Sequence, residues 1–208
     1  MRIIILLVLN LVSLTSLSQS ELGIGIVSIN FNNNNNTLID FYEGSDLNKK
    51  VKTIEFFKDE SINSWNIKDL ENQQQWLQPE SLWLDYHQFS FRTKTNETDC
   101  FEIYVSDTKT MWIKNTDYIE FHTWEEYLQN MFSIERVDKN TQNIYSKPFT
   151  NSEIVKLGSK EDCFTVIRMQ NDWIEVETGE HCENGRKIKG WLEWRNDDKL
   201  LINYYTTS

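Results

Sequence analysis

Asp162-Cys163-Phe164-Thr165-Val166-Ile167, Trp173-Ile174-Glu175-Val176-Glu177 and Gly190-Trp191-Leu192-Glu193-Trp194 are the segments whose reading decides the fold. From Phe164 to Met169 the apolar side chains fall near every second position, the period of a strand with one face in a core. Gln170-Asn171-Asp172 is polar and turn-forming. The alternation then resumes, with Ile174 and Val176 expected inward and Glu175 and Glu177 in water. Thr178 to Lys189 carries Gly179, Asn184 and Gly185 among charges and predicts a wide hairpin loop. Gly190 to Trp194 reads as a third strand and Lys199 to Tyr205 as a fourth. Short strands punctuated by turns predict a small barrel or sandwich.

Asn143-Ile144-Tyr145-Ser146-Lys147-Pro148, Glu153-Ile154-Val155, Trp173-Ile174-Glu175-Val176 and Gly190-Trp191-Leu192 together resemble the bacterial SH3-like domain. That family opens on Asn-Val-Arg-Ser, continues with a Trp-x-x-Val strand and ends near a Gly-Trp strand. The resemblance covers the C-terminal portion of the chain. Tyr145 stands where the family usually has Arg, so a ligand contact made by that Arg is not carried over. The resemblance implies a small barrel that acts as a binding module.

Working outward, Asp99-Cys100-Phe101-Glu102-Ile103, Met111-Trp112-Ile113-Lys114 and Trp124 parallel Asp162-Cys163-Phe164-Thr165-Val166, Asp172-Trp173-Ile174-Glu175 and Trp191 in order and chemistry. One structural unit used twice is the physical reading. The expected fold class is therefore all-β: two small SH3-like barrels in tandem, the first with an insertion spanning residues 58–98, joined by a short helix. The expected division is a signal peptide over 1–20, a first unit with its insertion and linking helix over 21–137, and a C-terminal SH3-like domain over 138–208. Within the first unit, Gly23 to Phe31 and Thr37 to Tyr42 read as strands, with Asn32 to Asn36 as the hairpin tip between them. A short helical turn is expected ahead of Pro79, and Leu82 to Arg92, rich in aromatics, reads as one long strand. Thr123 with Glu126 forms a capping box, and Trp124, Tyr127, Leu128, Met131 and Phe132 follow at helical spacing.

Arg2, the apolar run Ile3 to Leu9 and the small residues up to Ser20 have the form of a secretory signal peptide. Asn10, Ser13 and Thr15 break the run too soon for a membrane span. The expected location is exported, periplasmic or extracellular, with no integral membrane segment after cleavage. A net charge of −11 and the lack of any clustered Lys/Arg run argue against a nucleic-acid partner.

No motif for catalysis stands out. Gly-rich phosphate loops, Gly-x-Ser-x-Gly and His-Glu-x-x-His are absent from the sequence. His87, His122 and His181 carry no nucleophile signature around them. Glu180-His181-Cys182-Glu183 holds ligand-type side chains, but no second half-site follows at zinc spacing. No catalytic residue, metal or cofactor is assigned. In an exported chain Cys163 and Cys182 are placed to bridge the hairpin, leaving Cys100 odd; a Cys100–Cys163 clip between the units and three buried thiols are the alternatives. Asn35 and Asn96 match glycosylation sequons, which the bacterial resemblance leaves unused.

Aromatic side chains remain. They fill cores, and they also line grooves that grip extended ligands. Tyr145, Trp173 and Trp191 fall at strand ends, where an aromatic is half exposed, with Glu175 and Glu193 as polar neighbours suited to an amine or guanidinium. The expected function is an exported, non-enzymatic binding module that recognises a peptide, cell-wall fragment or envelope protein through this groove. The competing reading is an acidic structural or inhibitory protein that caps a basic partner.

Overall fold

The computed structural model describes residues 21–30, 37–157, 162–178 and 187–206. Sixteen strands are β1 (Gly25–Ile29), β2 (Thr37–Tyr42), β3 (Lys50–Asp59), β4 (Ser64–Ile67), β5 (Ser81–Trp83), β6 (Gln88–Asn96), β7 (Cys100–Tyr104), β8 (Thr110–Lys114), β9 (Ile119–Thr123), β10 (Ser133–Arg136), β11 (Phe164–Gln170), β12 (Trp173–Thr178), β13 (Lys189–Glu193), β14 (Arg195–Asn196), β15 (Lys199–Leu200) and β16 (Ile202–Tyr205). Two short helices, α1 (Leu70–Gln73) and α2 (Trp124–Gln129), complete the described elements with one 3-10 turn, Leu84–Tyr86. The fold is mostly β-sheet, as its alternating sequence requires.

Two antiparallel sheets account for nearly all of the strands. The larger has the order β4-β3-β2-β8-β7-β6-β1-β9, with β5 paired to the same strand, β6, as β7 and β1. The smaller runs β13-β12-β11-β10-β16, and β14-β15 forms a separate two-stranded ribbon. Among the described residues neither sheet closes into a barrel.

Each sheet has its own core. The first is built on aromatic pairs: Phe89 meets Phe56 at 4.9 Å and Phe91 at 4.8 Å, both edge to face. The second gathers Phe164, Ile174, Val176, Leu192, Trp194 and Ile202 of the C-terminal half with Leu22, Ile26, Trp124, Tyr127, Leu128 and Ile134 from before the expected boundary. β1 serves both. Val27 and Ile29 point into the first core and Ile26 into the second, which strand alternation permits only because Gly-Ile-Val-Ser-Ile is apolar on both faces.

Several expectations change at this level. β1 pairs with β6 and β9, and β2 with β3 and β8, so no β1–β2 hairpin forms; the asparagine run itself lies outside the described residues. The stretch read as an insertion supplies β6, which is bonded to three strands of the larger sheet. Leu82 to Arg92 is not one strand: it breaks at the Leu84–Tyr86 turn, which His87 closes in left-handed backbone (φ 57°) by donating its N–H to the Leu84 carbonyl. The β7–β8 hairpin matches β11–β12, but the third members differ, since β13 pairs with β12 whereas β9 pairs with β1. The capping box forms as expected, Thr123 and Glu126 bonding reciprocally, yet α2 ends at Gln129. Its face of Trp124, Tyr127 and Leu128 belongs to the second core.

A buried guanidinium holds the sheets in relation. Phe89 and Phe91 face the first core, so Ser90 and Arg92 of β6 face the opposite way. The Arg92 side chain is 8% exposed; its Nε lies 3.1 Å from Glu80 and its Nη2 3.2 Å from Asp107. Nη1 donates to the Glu21 carbonyl at 2.9 Å, and the guanidinium sits over the Tyr104 ring at 5.4 Å. Tyr104 in turn donates to the Glu21 carboxylate, and Tyr204 of β16 donates to Glu80. Burial, with the Glu80 charge next, pushes the Tyr204 hydroxyl far above its usual range, so it stays a donor. Between these anchors Gly23 adopts φ +69°, and a Cβ there would lie 2.1 Å from the Thr93 carbonyl oxygen.

Two outcomes are expected. Arg92→Ala leaves the half-buried Glu80 without its cation and lowers unfolding free energy by about 3 kcal/mol in urea titration, whereas Asp107→Ala, at the exposed end, costs under ~1 kcal/mol. A fragment beginning at Asn140 lacks β10, which bridges β11 and β16, together with Trp124, Leu128 and Ile26 of the second core; circular dichroism of it shows no cooperative melt.

Candidate functional site

The five residues expected to bind a ligand do come together. Trp173 lies opposite Glu193 and Glu175 opposite Trp191 across β12–β13, so all four share one face. Tyr145 joins them from the edge: its backbone exchanges hydrogen bonds with Trp191, at 2.8 and 2.7 Å, and its ring meets Trp173 at 5.6 Å edge to face. The approach depends on the glycine of the Gly-Trp pair. A Cβ at Gly190 would lie 2.3 Å from Ile144 Cγ2 and 3.0 Å from the Tyr145 carbonyl oxygen.

That face is already engaged with itself. Trp191 is 6% exposed, and the Arg168 guanidinium covers its ring at 5.1 Å while Arg168 Nε bonds Glu175 at 2.6 Å. Burial, then the neighbouring Asp172 charge, raises the Glu193 carboxyl above its ordinary value. The arrangement is an internal stack of ring, guanidinium and carboxylate.

A second group of aromatics was hidden in the segment read as a continuous strand. Leu82 packs on the first core, so Ser81 and Trp83 of β5 face away from it. The 3-10 turn then presents Tyr86. Trp83 and Tyr86 are 63% and 59% exposed, and Tyr205, on the outer face of β16, is 42% exposed. Together they border a cleft of about 720 Å³ where the β5–β6 hairpin of one sheet meets β16 of the other. Thr206 pins the two sides by donating to Gln88 Oε1 at 2.7 Å. Beyond Glu80 lies a smaller, charged cleft of about 420 Å³ bordered by Arg92, Asp107, Asp198 and Lys199. The signal available in sequence was the Asp85–His87 interruption: a polar turn of this kind inside an aromatic run exposes the aromatics flanking it.

The cysteines divide. Cys163 is disulfide-bonded, and Cys100 is a free, buried thiol, so the Cys100–Cys163 clip does not form. Burial, followed by the Glu97 charge, pushes the Cys100 thiol up and away from the reactive thiolate. Cys182, and with it the expected Cys163–Cys182 bridge, lies outside the described residues, as does Glu180 to Glu183. Among the described residues no three His, Cys, Asp or Glu side chains gather as a metal site, and no helix is long and apolar enough to cross a membrane.

Among protein-family models, curated proteins and solved structures, none matches this chain.

The raised Glu193 gives a pH test. An acid with a raised folded value contributes fully to stability below its unfolded value, near 4.5, and loses that contribution as pH rises through the folded value. Glu193→Gln therefore melts higher than the wild type at neutral pH, and the gap closes near pH ~3, where both side chains are neutral. An unchanged gap across that window contradicts the assignment.

Proposed function

We propose that the protein is an exported, non-enzymatic binding module whose ligand lies in the cleft between the two sheets. The carrying observation is the convergence of Trp83, Tyr86 and Tyr205, all exposed, on one cleft built from both halves of the chain. Large aromatics left in water beside a cleft of ligand size, ~300–1,000 Å³, are the mark of a contact surface. Export rests on the first twenty residues, and the disulfide at Cys163 agrees with an oxidising compartment.

The SH3-like reading of the C-terminal segment belongs to this proposal. Its support is the antiparallel run β11-β12-β13 and the Gly190-Trp191 pair that lets Tyr145 close the edge of β13. The aromatic groove is moved in the proposal from Tyr145, Trp173 and Trp191 to the inter-sheet cleft, because Arg168 and Tyr145 already occupy the first set of rings. A peptide, a cell-wall fragment and an envelope protein all remain within the class of ligand.

The test is a pelleting assay of the mature protein with isolated cell-envelope material. Trp83→Ala and Tyr205→Ala, both at exposed positions, are expected to keep the melting temperature within about 1–2 °C, as surface changes near ±0.5 kcal/mol do, and to lose retention. Retention should persist from about 0.1 to 1 M salt, across which the Debye length shrinks from ~10 to ~3 Å. Equal retention of variants and wild type refutes the cleft. Retention that collapses with salt points instead to the acidic cap.

A further inference from the structure

We infer that the cleft takes an uncharged oligosaccharide: a chain of neutral pyranose sugars, not a peptide and not a charged polymer. The inference rests on the proposal that this cleft is the binding surface and narrows its ligand to one chemical class. It comes from what the lining offers and what it withholds.

The lining offers flat rings and neutral hydrogen-bonding groups. A pyranose ring has apolar C–H faces and a rim of hydroxyls, each of them both donor and acceptor. Exposed Trp83, Tyr86 and Tyr205 supply surfaces for the apolar faces. Gln88 and Asn203 stand among them with amide groups that pair with sugar hydroxyls in either sense, while the Ser81 hydroxyl is bonded to Ser90 at 2.7 Å. Thr206 engages only the carbonyl oxygen of Gln88, which leaves the Gln88 amide N–H groups to donate.

What it withholds is charge. Among the described residues no Lys, Arg or Asp lines the cleft. Glu80, the one acid among them, is already bound by Arg92 at 3.1 Å and by the Tyr204 hydroxyl. An anionic ligand meets no cation there and approaches a chain of net charge −11. A cationic ligand finds Glu80 already paired and Glu135, beside Tyr205, bonded to that ring's hydroxyl.

A peptide that binds as an added strand is disfavoured for a separate reason. That mode needs an open sheet edge. β16 is an outer strand of its sheet and, among the described residues, pairs with β10 alone. The bond from Val137 N–H to the Leu201 carbonyl sets the phase of that pairing, so Ile202 and Tyr204 turn their backbone groups outward. Yet Ile202 is buried, and the Tyr204 side chain is drawn across to Glu80. At Ile202 the edge that a peptide strand would need is covered, while the ring surfaces of Trp83, Tyr86 and Tyr205 are exposed.

The experiment titrates the mature protein with defined probes, followed by tryptophan fluorescence and calorimetry. The probes are three neutral hexasaccharides (β-1,4-linked glucose, β-1,4-linked N-acetylglucosamine and α-1,4-linked glucose), a hexamer of galacturonic acid, and a Lys-rich and a Glu-rich decapeptide. Binding of at least one neutral hexasaccharide is expected, weakened tenfold or more by Trp83→Ala and by Tyr205→Ala and little changed by salt. Arg168→Ala, in the stack on Trp191 and not among the cleft's lining residues, should leave that binding intact. If only the galacturonate or a decapeptide binds, and Trp83→Ala abolishes it, the saccharide inference falls while the cleft stands. If a hexasaccharide binds and neither cleft variant weakens it, both fall. If no probe binds, the saccharide inference is overturned, and the envelope-pelleting assay decides the cleft separately.

Discussion

The Arg92 guanidinium is the constraint on which the arrangement of this protein turns. Its strand is committed to the first core through Phe89 and Phe91, so strand alternation sends the charge into the seam between the sheets. A charge in that position has to be met, and the molecule meets it from three directions: Glu80 ahead of β5, Asp107 after β7 and the Glu21 carbonyl at the N-terminal end of the described chain. Glu80 then draws in Tyr204 from the second sheet. Sheets that share little backbone pairing are thus fixed to one another by a polar cluster, in addition to the apolar contacts of Ile26 and Leu22.

Such a cluster favours one relative placement over others more than it adds stability. Apolar surfaces slide over one another at modest cost, whereas a buried guanidinium is satisfied only where its donors meet their acceptors. The cleft depends on that placement. Trp83 and Tyr86 come from one sheet and Tyr205 from the other, and a shift between the sheets would separate them. Glu80 sits at the border of both clefts, which makes the structural cluster and the proposed ligand surface neighbours through a single carboxylate.

Much of the local structure was legible in the sequence, and much of the assembly was not. Alternation between Phe164 and Val176 gives β11 and β12 directly, and the Thr123–Glu126 pair gives the start of α2, because both signals involve only near neighbours. Pairing over long range leaves no such trace. Nothing within Gly25–Ile29 says that its partners are β6 and β9 and not the adjacent β2. The likeness between the Cys100 and Cys163 segments is real as far as the hairpin, but it does not determine which strand comes third. The aromatic run from Trp83 to Phe91 was mistaken for one strand because strand propensity is high at each residue, and the left-handed backbone at His87 is a tertiary outcome. Trp173, Glu175, Trp191 and Glu193 do share a face, since cross-strand neighbours follow from register once the hairpin is known.

The two-faced strand β1 has a consequence for the order of events during folding. It is the first strand to leave the ribosome among those described, yet its partners at Gln88–Asn96 and Ile119–Thr123 are among the more distant in the chain. Loop closure over such separations is slow, and contacts of high sequence separation govern the folding rate. Neither core can be completed while Ile26 and Val27 wait for those strands. Neither core of a chain built in this way can close until more than half of it has been made, so its folding follows synthesis at a distance.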